Sequence, residues 1–372
     1  MPKYKIAWLP GDGVGNDVME AARIVLDALK LDAEYIHGDI GWEFWKTEGN
    51  PLPDRTIDLL KSTDTCLFGA ITSMPKEEAQ SELIPELQGK GLIYSSPIVR
   101  LRQEFNLHTN LRPCKAYPGN PLNYRDDIDL VVFRENTEDL YVGVEFHPLP
   151  EAVMQTLLEH APKMKRFANV SLDDIAVSLR INTRQASRSI VTQAFEYAKK
   201  HGCKTVTIVE KPNVLRETSG LILRTAREVA KNYPDIDLWE TNIDAMCMWL
   251  VKNPQNYGVL VASNMFGDII SDLCAQLIGG LGFASSGNIG DNYAVFEPTH
   301  GSAPKYAGQY KVNPMAMLLT AKLMLDWLGE MEMAQKLENA VAAVIKEGQV
   351  KTYDVSGSST TLEVAEEVAR KL

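Results

Sequence analysis

Two aspartates in the segment NMFGDIISD, Asp268 and Asp272, stand four residues apart just after the apolar run GVLVAS. If a helix begins near Gly267, they share one face, and like charges on adjacent turns repel. The pair is then either solvated or neutralised by a cation, and hard carboxylate oxygens suit Mg²⁺ or Mn²⁺. The mostly apolar continuation IISDLCAQLIGG argues against full solvation. A helix N-terminal charge is the competing reading for Asp268.

A second set is cationic. Arg102 in VRLRQEF, Arg112 in NLRPCK and Arg134 in FRENTEDLY carry planar forks that bind carboxylates through paired hydrogen bonds. Arg112 and Arg134 read as ends of apolar strands, where side chains project toward a cleft, and three such forks suit a di- or tricarboxylate. Tyr141, and Lys211 in TIVEKPNV, are candidate proton carriers: a lysine beside a metal loses its proton more readily, and a phenol can deliver one. Taken singly, either is more often structural. The loop VFEPTHGSAPKYAGQYKVNP offers His300, Gly301, Ser302 and Lys305 to a nucleotide phosphate or adenine, with an ordinary turn as the alternative. In PGDGVGND the glycines Gly11, Gly13 and Gly15 follow G-x-G-x-G rather than G-x-G-x-x-G. Asp12 and Asp17 would also oppose a pyrophosphate, so this segment reads as a tight turn beside the cleft.

The elements that must position these groups alternate. YKIAWLPGDGVGNDVMEAARIVLDAL reads as strand, glycine turn and amphipathic helix, and DTCLFGAI, DLVVFREN, KTVTIVEK and YGVLVASN as further strands. SRSIVTQAFEYAKKHG and TSGLILRTAREVAKNY read as helices between them. Such alternation implies an α/β fold with a mainly parallel sheet. Residues 146–178 leave the rhythm, with a helix expected through LLEHAPKMKRF, and suit a dimer arm, a lid or a plain surface excursion. The C-terminal third is a long helical pattern broken at Gly329.

At 372 residues the chain is long enough for two domains, or for one sheet with a large insertion. A net charge of -11 repels polyanions and argues against nucleic-acid binding. No basic segment precedes an apolar core at the N-terminus, and no apolar run reaches the roughly 18 residues that span a bilayer. A cytoplasmic location without membrane attachment is therefore expected. Cys66, Cys114, Cys203, Cys247 and Cys274 form no C-x-x-C pair and read as buried free thiols.

Taken together, LPGDGVGNDV, LRQEFNL, NLRP, FRENTEDLY, KPNV, NMFGDIISD, EPTHGSAP and KTYDVSG resemble the β-decarboxylating dehydrogenases, which act on isocitrate, homoisocitrate, 3-isopropylmalate and D-malate or tartrate. The likeness runs nearly end to end. It implies a doubly wound large domain from residues 1–98 and 252–372. It also implies a smaller central α/β domain, 99–251, with a dimer clasp at about 146–178. Asp268 and Asp272 resemble metal ligands, and Asp244 the ligand given by the partner subunit of an obligate homodimer, with a tetramer as a further possibility. Lys211 would act on the hydroxyl proton from that same partner, and Tyr141 would protonate carbon. Arg102, Arg112 and Arg134 resemble the substrate clamp, with Ser96 and Ile98 nearby.

Thr72, Asn213, Glu297, His300, Gly301, Ser302, Ala303, Lys305, Tyr306, Val312, Asn313 and Tyr353 resemble nucleotide contacts. Lys305, Tyr306, Val312 and Tyr353 match the NADP-type set more than the NAD-type one, although Gly357 stands where an arginine completes it. The loop PKYAGQYKVNP and the long clasp rank isocitrate first, with Arg100 or Ser96 as partners for a γ-carboxylate. Ile98, which would face the substrate's third substituent together with Val99, replaces the asparagine of isocitrate enzymes. SPIV looks more like homoisocitrate or isopropylmalate enzymes. The remaining alternatives are D-malate or tartrate oxidation, a non-catalytic regulatory subunit, and a metal-free Rossmann dehydrogenase.

Overall fold

Short apolar runs bounded by turn residues become strands, and the amphipathic runs between them become helices. The computed structural model describes residues 2–372. Its strands are β1 (Tyr4–Gly11), β2 (Ala33–His37), β3 (Thr65–Ala70), β4 (Thr109–Lys115), β5 (Asp129–Glu135), β6 (Glu145–Phe146), β7 (Val177–Ser178), β8 (Thr205–Glu210), β9 (Asp237–Asn242), β10 (Val259–Ala262), β11 (Ser285–Ile289) and β12 (Ala294–Pro298). Its helices are α1 (Gly15–Leu29), α2 (Trp42–Glu48), α3 (Asp54–Lys61), α4 (Lys76–Ser81), α5 (Pro97–Glu104), α6 (Glu151–His160), α7 (Arg184–His201), α8 (Thr218–Ala230), α9 (Ile243–Lys252), α10 (Asn264–Leu277), α11 (Met315–Trp327), α12 (Met331–Glu347) and α13 (Thr361–Arg370).

Ten strands form one sheet in the order β2-β1-β3-β12-β11-β4-β5-β10-β8-β9. Both wings are parallel, whereas β12-β11, β11-β4 and β4-β5 pair antiparallel. The expected α/β class holds, with an antiparallel centre that the alternation did not announce. Every residue of β3 and of β10 is buried, as strands covered on both faces require. One apolar core cluster runs through both wings, joining Ile6, Val25, Val132, Leu260, Phe296 and Val341, and a second under α7 and α8 includes Phe133, Phe195, Ile208 and Val261.

Strand β10 and helix α10 follow residue 252, where the resemblance returns the chain to the large domain, yet β10 pairs with β5 and β8 of the other wing. Residues 146–178 leave the sheet as an arm: β6 and β7 pair only with each other, and α6 ends at His160, earlier than the expected helix. Gly329, with φ 83°, separates α11 from α12 as the pattern required. Among the described residues no helix is long and apolar enough to cross a membrane, and the five cysteines are free.

Candidate active site

Helix α10 starts at Asn264, three residues before the expected Gly267, so Asp268 falls in its second turn and the N-terminal charge reading is withdrawn. Asp268 and Asp272 meet the arginines there. Arg134 pairs with Asp268, and its Nε donates to Asn264 Oδ1 at 2.9 Å. Arg112 Nη1 donates to Asp272 Oδ1 at 3.0 Å and to Ser271 Oγ at 2.6 Å, while its Nη2 lies 3.6 Å from Asp268. The Tyr141 hydroxyl donates to the other Asp268 oxygen at 2.6 Å. Gly267 makes room for this: a Cβ there would lie 2.6 Å from Arg134 Cγ and 2.7 Å from its Cβ.

Arg134 comes from the end of β5, as expected, but Arg112 sits in the middle of β4 and points from the sheet's antiparallel centre. A polar ladder that sequence reasoning missed fixes the arginines. Asn288 Oδ1 accepts from Arg102 Nε at 2.9 Å, Asn110 at 2.8 Å and Asn136 at 3.0 Å, and Asn110 Oδ1 accepts from Arg112 Nε at 2.8 Å. Asn288 in turn donates to Glu297, which lies 3.5 Å from Arg102. Polar residues alternating through otherwise apolar strands, as in HTNLRP, are the signal that pointed there. Glu297, expected at the nucleotide, is tied into this ladder.

Burial of guanidinium groups is costly unless they are paired, and here pairing decides the charge states. Burial pushes Arg134 down to about 10, helped by the like charges of Arg102 and Arg112, so it remains a cation at neutral pH. Burial also pushes the Asp268 carboxyl up. The Arg134 charge, the Tyr141 hydrogen bond, Arg112 and Arg102 together outweigh it and hold Asp268 below its ordinary value. Tyr141 is raised by burial and then by its bond to Asp268, which favours the neutral phenol.

Other expected residues separate from this centre. Lys211, directly after β8, pairs with Asp244 in the first turn of α9, and that contact holds the Asp244 carboxyl below its ordinary value. Among the described residues no group of three His, Cys, Asp or Glu side chains could hold a metal ion, so Asp244 does not join Asp268 and Asp272 within one chain. Ile98, expected to face the substrate, is packed with Leu9, Phe68 and Leu101 in an apolar cluster, leaving Val99 half-buried. Arg100, one of two expected γ-carboxylate partners, donates to the Leu52 carbonyl at 2.8 Å and to Asp54 at 2.9 Å. Ser96, the other, precedes α5 and is partly exposed.

A cleft of about 900 Å³ is lined by His300, Gly301, Ala303, Tyr306, Val312, Asn313 and Tyr353 as the motifs suggested, joined by Val14, Gly282 and Asp354. His300 Nε2 is buried there without a partner. Asp12 accepts from the backbone N–H groups of Trp42 at 2.7 Å and Thr72 at 2.8 Å, so PGDGVGND is a structural turn stitched to its neighbours. The Thr72 and Ser302 hydroxyls meet at 2.6 Å behind it. Lys305 extends over the Tyr306 ring, 4.7 Å from its centre, whereas Asn213 is exposed beside Lys211 and away from the cleft lining. No side chain fits at Gly357, because a Cβ would lie 1.9 Å from the Lys351 carbonyl oxygen.

The family model described as isocitrate/isopropylmalate dehydrogenase matches residues 5–368. The chain belongs to that family. It is 43% identical over 372 residues to a 3-isopropylmalate dehydrogenase of Methanothermobacter thermautotrophicus, covering 100% of this chain and 99% of that one. It is 42% identical over 366 residues to Protein DlpA of Legionella pneumophila, covering 98% of this chain but only 58% of that longer protein. The crystal structure of isocitrate dehydrogenase from Methylococcus capsulatus superposes with a TM-score of 0.85 at 36% identity, covering 99% of each chain. The chain is therefore an oxidoreductase of the β-decarboxylating dehydrogenase class.

Members of this isocitrate/isopropylmalate dehydrogenase family generally depend on a divalent metal and NAD(P), bind a small-molecule substrate and form dimers. The residues present fit such a metal. Asp268 is kept ionised, Asp272 is exposed beside it, and both offer hard oxygen donors on one helix face. A nucleotide fits the His300 cleft, where a buried ring nitrogen awaits a partner.

Proposed function

We propose that the chain oxidatively decarboxylates a 2-hydroxy-3-carboxy acid, working as a cytoplasmic homodimer. The observation that carries this reading is the convergence of Arg102, Arg112 and Arg134 on Asp268, Asp272 and Glu297 beside Tyr141. Three guanidinium groups and three carboxylates balance, so a divalent cation and a polycarboxylate anion can enter together with little net charge change. When bound, the metal supplies Lewis-acid polarisation of the substrate oxygens and the nicotinamide accepts hydride.

The chain's own groups do the rest. The arginines exchange their internal carboxylates for those of the substrate and orient it. Lys211, supplied with Asp244 by the partner subunit, takes the hydroxyl proton. The Tyr141 hydroxyl gives a proton to the carbon that loses CO₂.

On α5, an apolar third substituent is better supported than a charged one, since Arg100 is held by Asp54 and the Leu52 carbonyl and the half-buried side chain next to it is Val99, with Ile98 turned into the apolar cluster. We therefore place 3-isopropylmalate ahead of isocitrate and homoisocitrate, reversing the order drawn from the loop motifs. The name of the relative from Methanothermobacter thermautotrophicus supports the same order. For the cofactor, Lys305 with the Tyr306 and Tyr353 hydroxyls favours a 2′-phosphate, while the closed turn at Gly357 admits no arginine to complete the set, so the preference for NADP is narrow.

Comparing kcat/KM for 3-isopropylmalate, isocitrate, homoisocitrate and D-malate, each with NAD and NADP, tests the order. A higher value for any other acid than for 3-isopropylmalate refutes the substrate choice. Asp272→Asn should abolish turnover at ordinary Mg²⁺ or Mn²⁺. Full activity of that variant, or of the parent in excess chelator, refutes the metal reading itself.

A further inference from the structure

Arg180 belongs to none of the motifs that carry the family resemblance, yet its guanidinium is the hub beneath the site. It follows β7, where the arm returns to the body, and its side chain is 11% exposed between two carboxylates, Asp139 and Glu210, that are both 0% exposed. A guanidinium has five N–H donors, and all five are used. Nε donates to Asp139, Nη1 to the Thr218 and Ser219 hydroxyls at 3.2 Å each, and Nη2 to Ser263 Oγ at 2.6 Å and Glu210 at 3.2 Å. Its Cζ lies 4.9 Å from the centre of the Phe266 ring.

Three of these partners, Asp139, Glu210 and Ser263, lie next to elements that the proposed function uses. Asp139 is two residues before Tyr141, in a left-handed conformation of φ 72° that a non-glycine residue rarely holds unaided. Its second oxygen accepts from the Met265 N–H, so Asp139 also ties down the start of α10, the helix of Asp268 and Asp272. Ser263 is the residue before that helix, and its N–H donates to Glu210 at 3.0 Å. Glu210 immediately precedes Lys211, and Ser219, bonded to Glu210, accepts from the Lys211 N–H at 3.3 Å.

We infer that Arg180 is a positioning residue that fixes the Tyr141 loop, the start of α10 and the backbone of Lys211 relative to one another. The inference rests on the catalytic reading of Tyr141, Lys211 and Asp268. Because Lys211 serves the partner's site in that reading, one guanidinium holds two elements of its own site and one of its neighbour's. A lysine has three donors on a single nitrogen and cannot span both carboxylates in the same geometry.

Arg180→Lys is expected to fold and dimerise, with kcat lowered on the order of 100-fold, the loss typical of a 1 Å misplacement, and KM for the acid moved far less. Arg180→Ala supplied with millimolar guanidinium should regain part of its turnover, while the same salt leaves Tyr141→Phe inactive. Parental kcat in Arg180→Lys overturns the inference. It is equally overturned if lost activity in either variant only tracks the fraction unfolded, measured by circular dichroism, with folded molecules turning over at the parental rate. If Tyr141→Phe and Asp268→Asn also keep parental kcat, the catalytic reading itself has failed; if they lose it while Arg180→Lys does not, the positioning role alone has failed.

Discussion

Asp268 shows how far a residue's chemistry is set by what surrounds it. On its helix it is one of two like charges, but between Arg134, Arg112 and the Tyr141 hydroxyl it is an ionised carboxylate held in place. Tyr141 gains in return, since burial and then the bond to Asp268 keep it a neutral donor above its ordinary value of 10.0. Tyr141→Phe should therefore lower kcat by about 10²–10⁴-fold, the usual worth of a positioned acid or base, with KM nearly unchanged. Because the phenol's single hydrogen bond here goes to an ionised carboxylate, stability should fall by about 1.5–3 kcal/mol. Steady-state kinetics beside a thermal melt checks both, and a kcat within tenfold of the parent would remove Tyr141 from proton delivery.

At the scale of elements, the sheet's antiparallel centre must be fastened to the helices covering it. Glu338 on α12 does this, accepting from Lys115 of β4 at 2.6 Å and from Tyr117 at 3.3 Å, with Lys322 of α11 at 3.2 Å. Burial pushes its carboxyl up, but the Lys115 hydrogen bond and the Lys322 charge outweigh this and leave it below the ordinary 4.5. A carboxyl lowered in the folded state stabilises above its unfolded value, and that contribution disappears as pH falls through the folded value. Glu338→Gln should therefore cost about 1 kcal/mol at pH 7, since Lys115 is 44% exposed and solvent screens the pair, and the gap to the parent should close in acid below about pH 4.5. Urea unfolding of both proteins at the two pH values measures it. A gap that is constant with pH would assign the effect to packing rather than charge.

For the whole molecule, the decisive question is which groups meet across subunits. Met248 and Val251 on α9 and Ile269 on α10 are 53%, 48% and 50% exposed, an apolar face beside the Lys211–Asp244 pair. If a twofold interface covers it, Lys211 of one chain serves Asp272 of the other. Lys211→Met and Asp272→Asn homodimers should each be inactive. After random subunit exchange, half the dimers are hybrids with one intact site, restoring about a quarter of parental activity. No recovery despite hybrids seen by native mass spectrometry would place Lys211 in its own chain's site.

Local sequence determined what short-range physics controls. Apolar runs announced β3, β5, β8 and β10, amphipathic periods announced α1, α7 and α8, and Gly329 announced the break between α11 and α12. The chemical types at the site were legible too, because carboxylates at helical spacing and arginines beside apolar runs are local patterns. Tertiary structure decided the rest. Asn288, Asn110 and Asn136 are ordinary polar residues until the antiparallel strands bring them under Arg102 and Arg112, and Arg180 is an isolated cation until its pairing with Asp139 and Glu210 closes. Arg100 and Ile98 looked available to substrate until α3 and the apolar cluster claimed them. A sequence lists donors and acceptors, but which ones pair depends on residues far apart along the chain, whose meeting only the packed fold specifies.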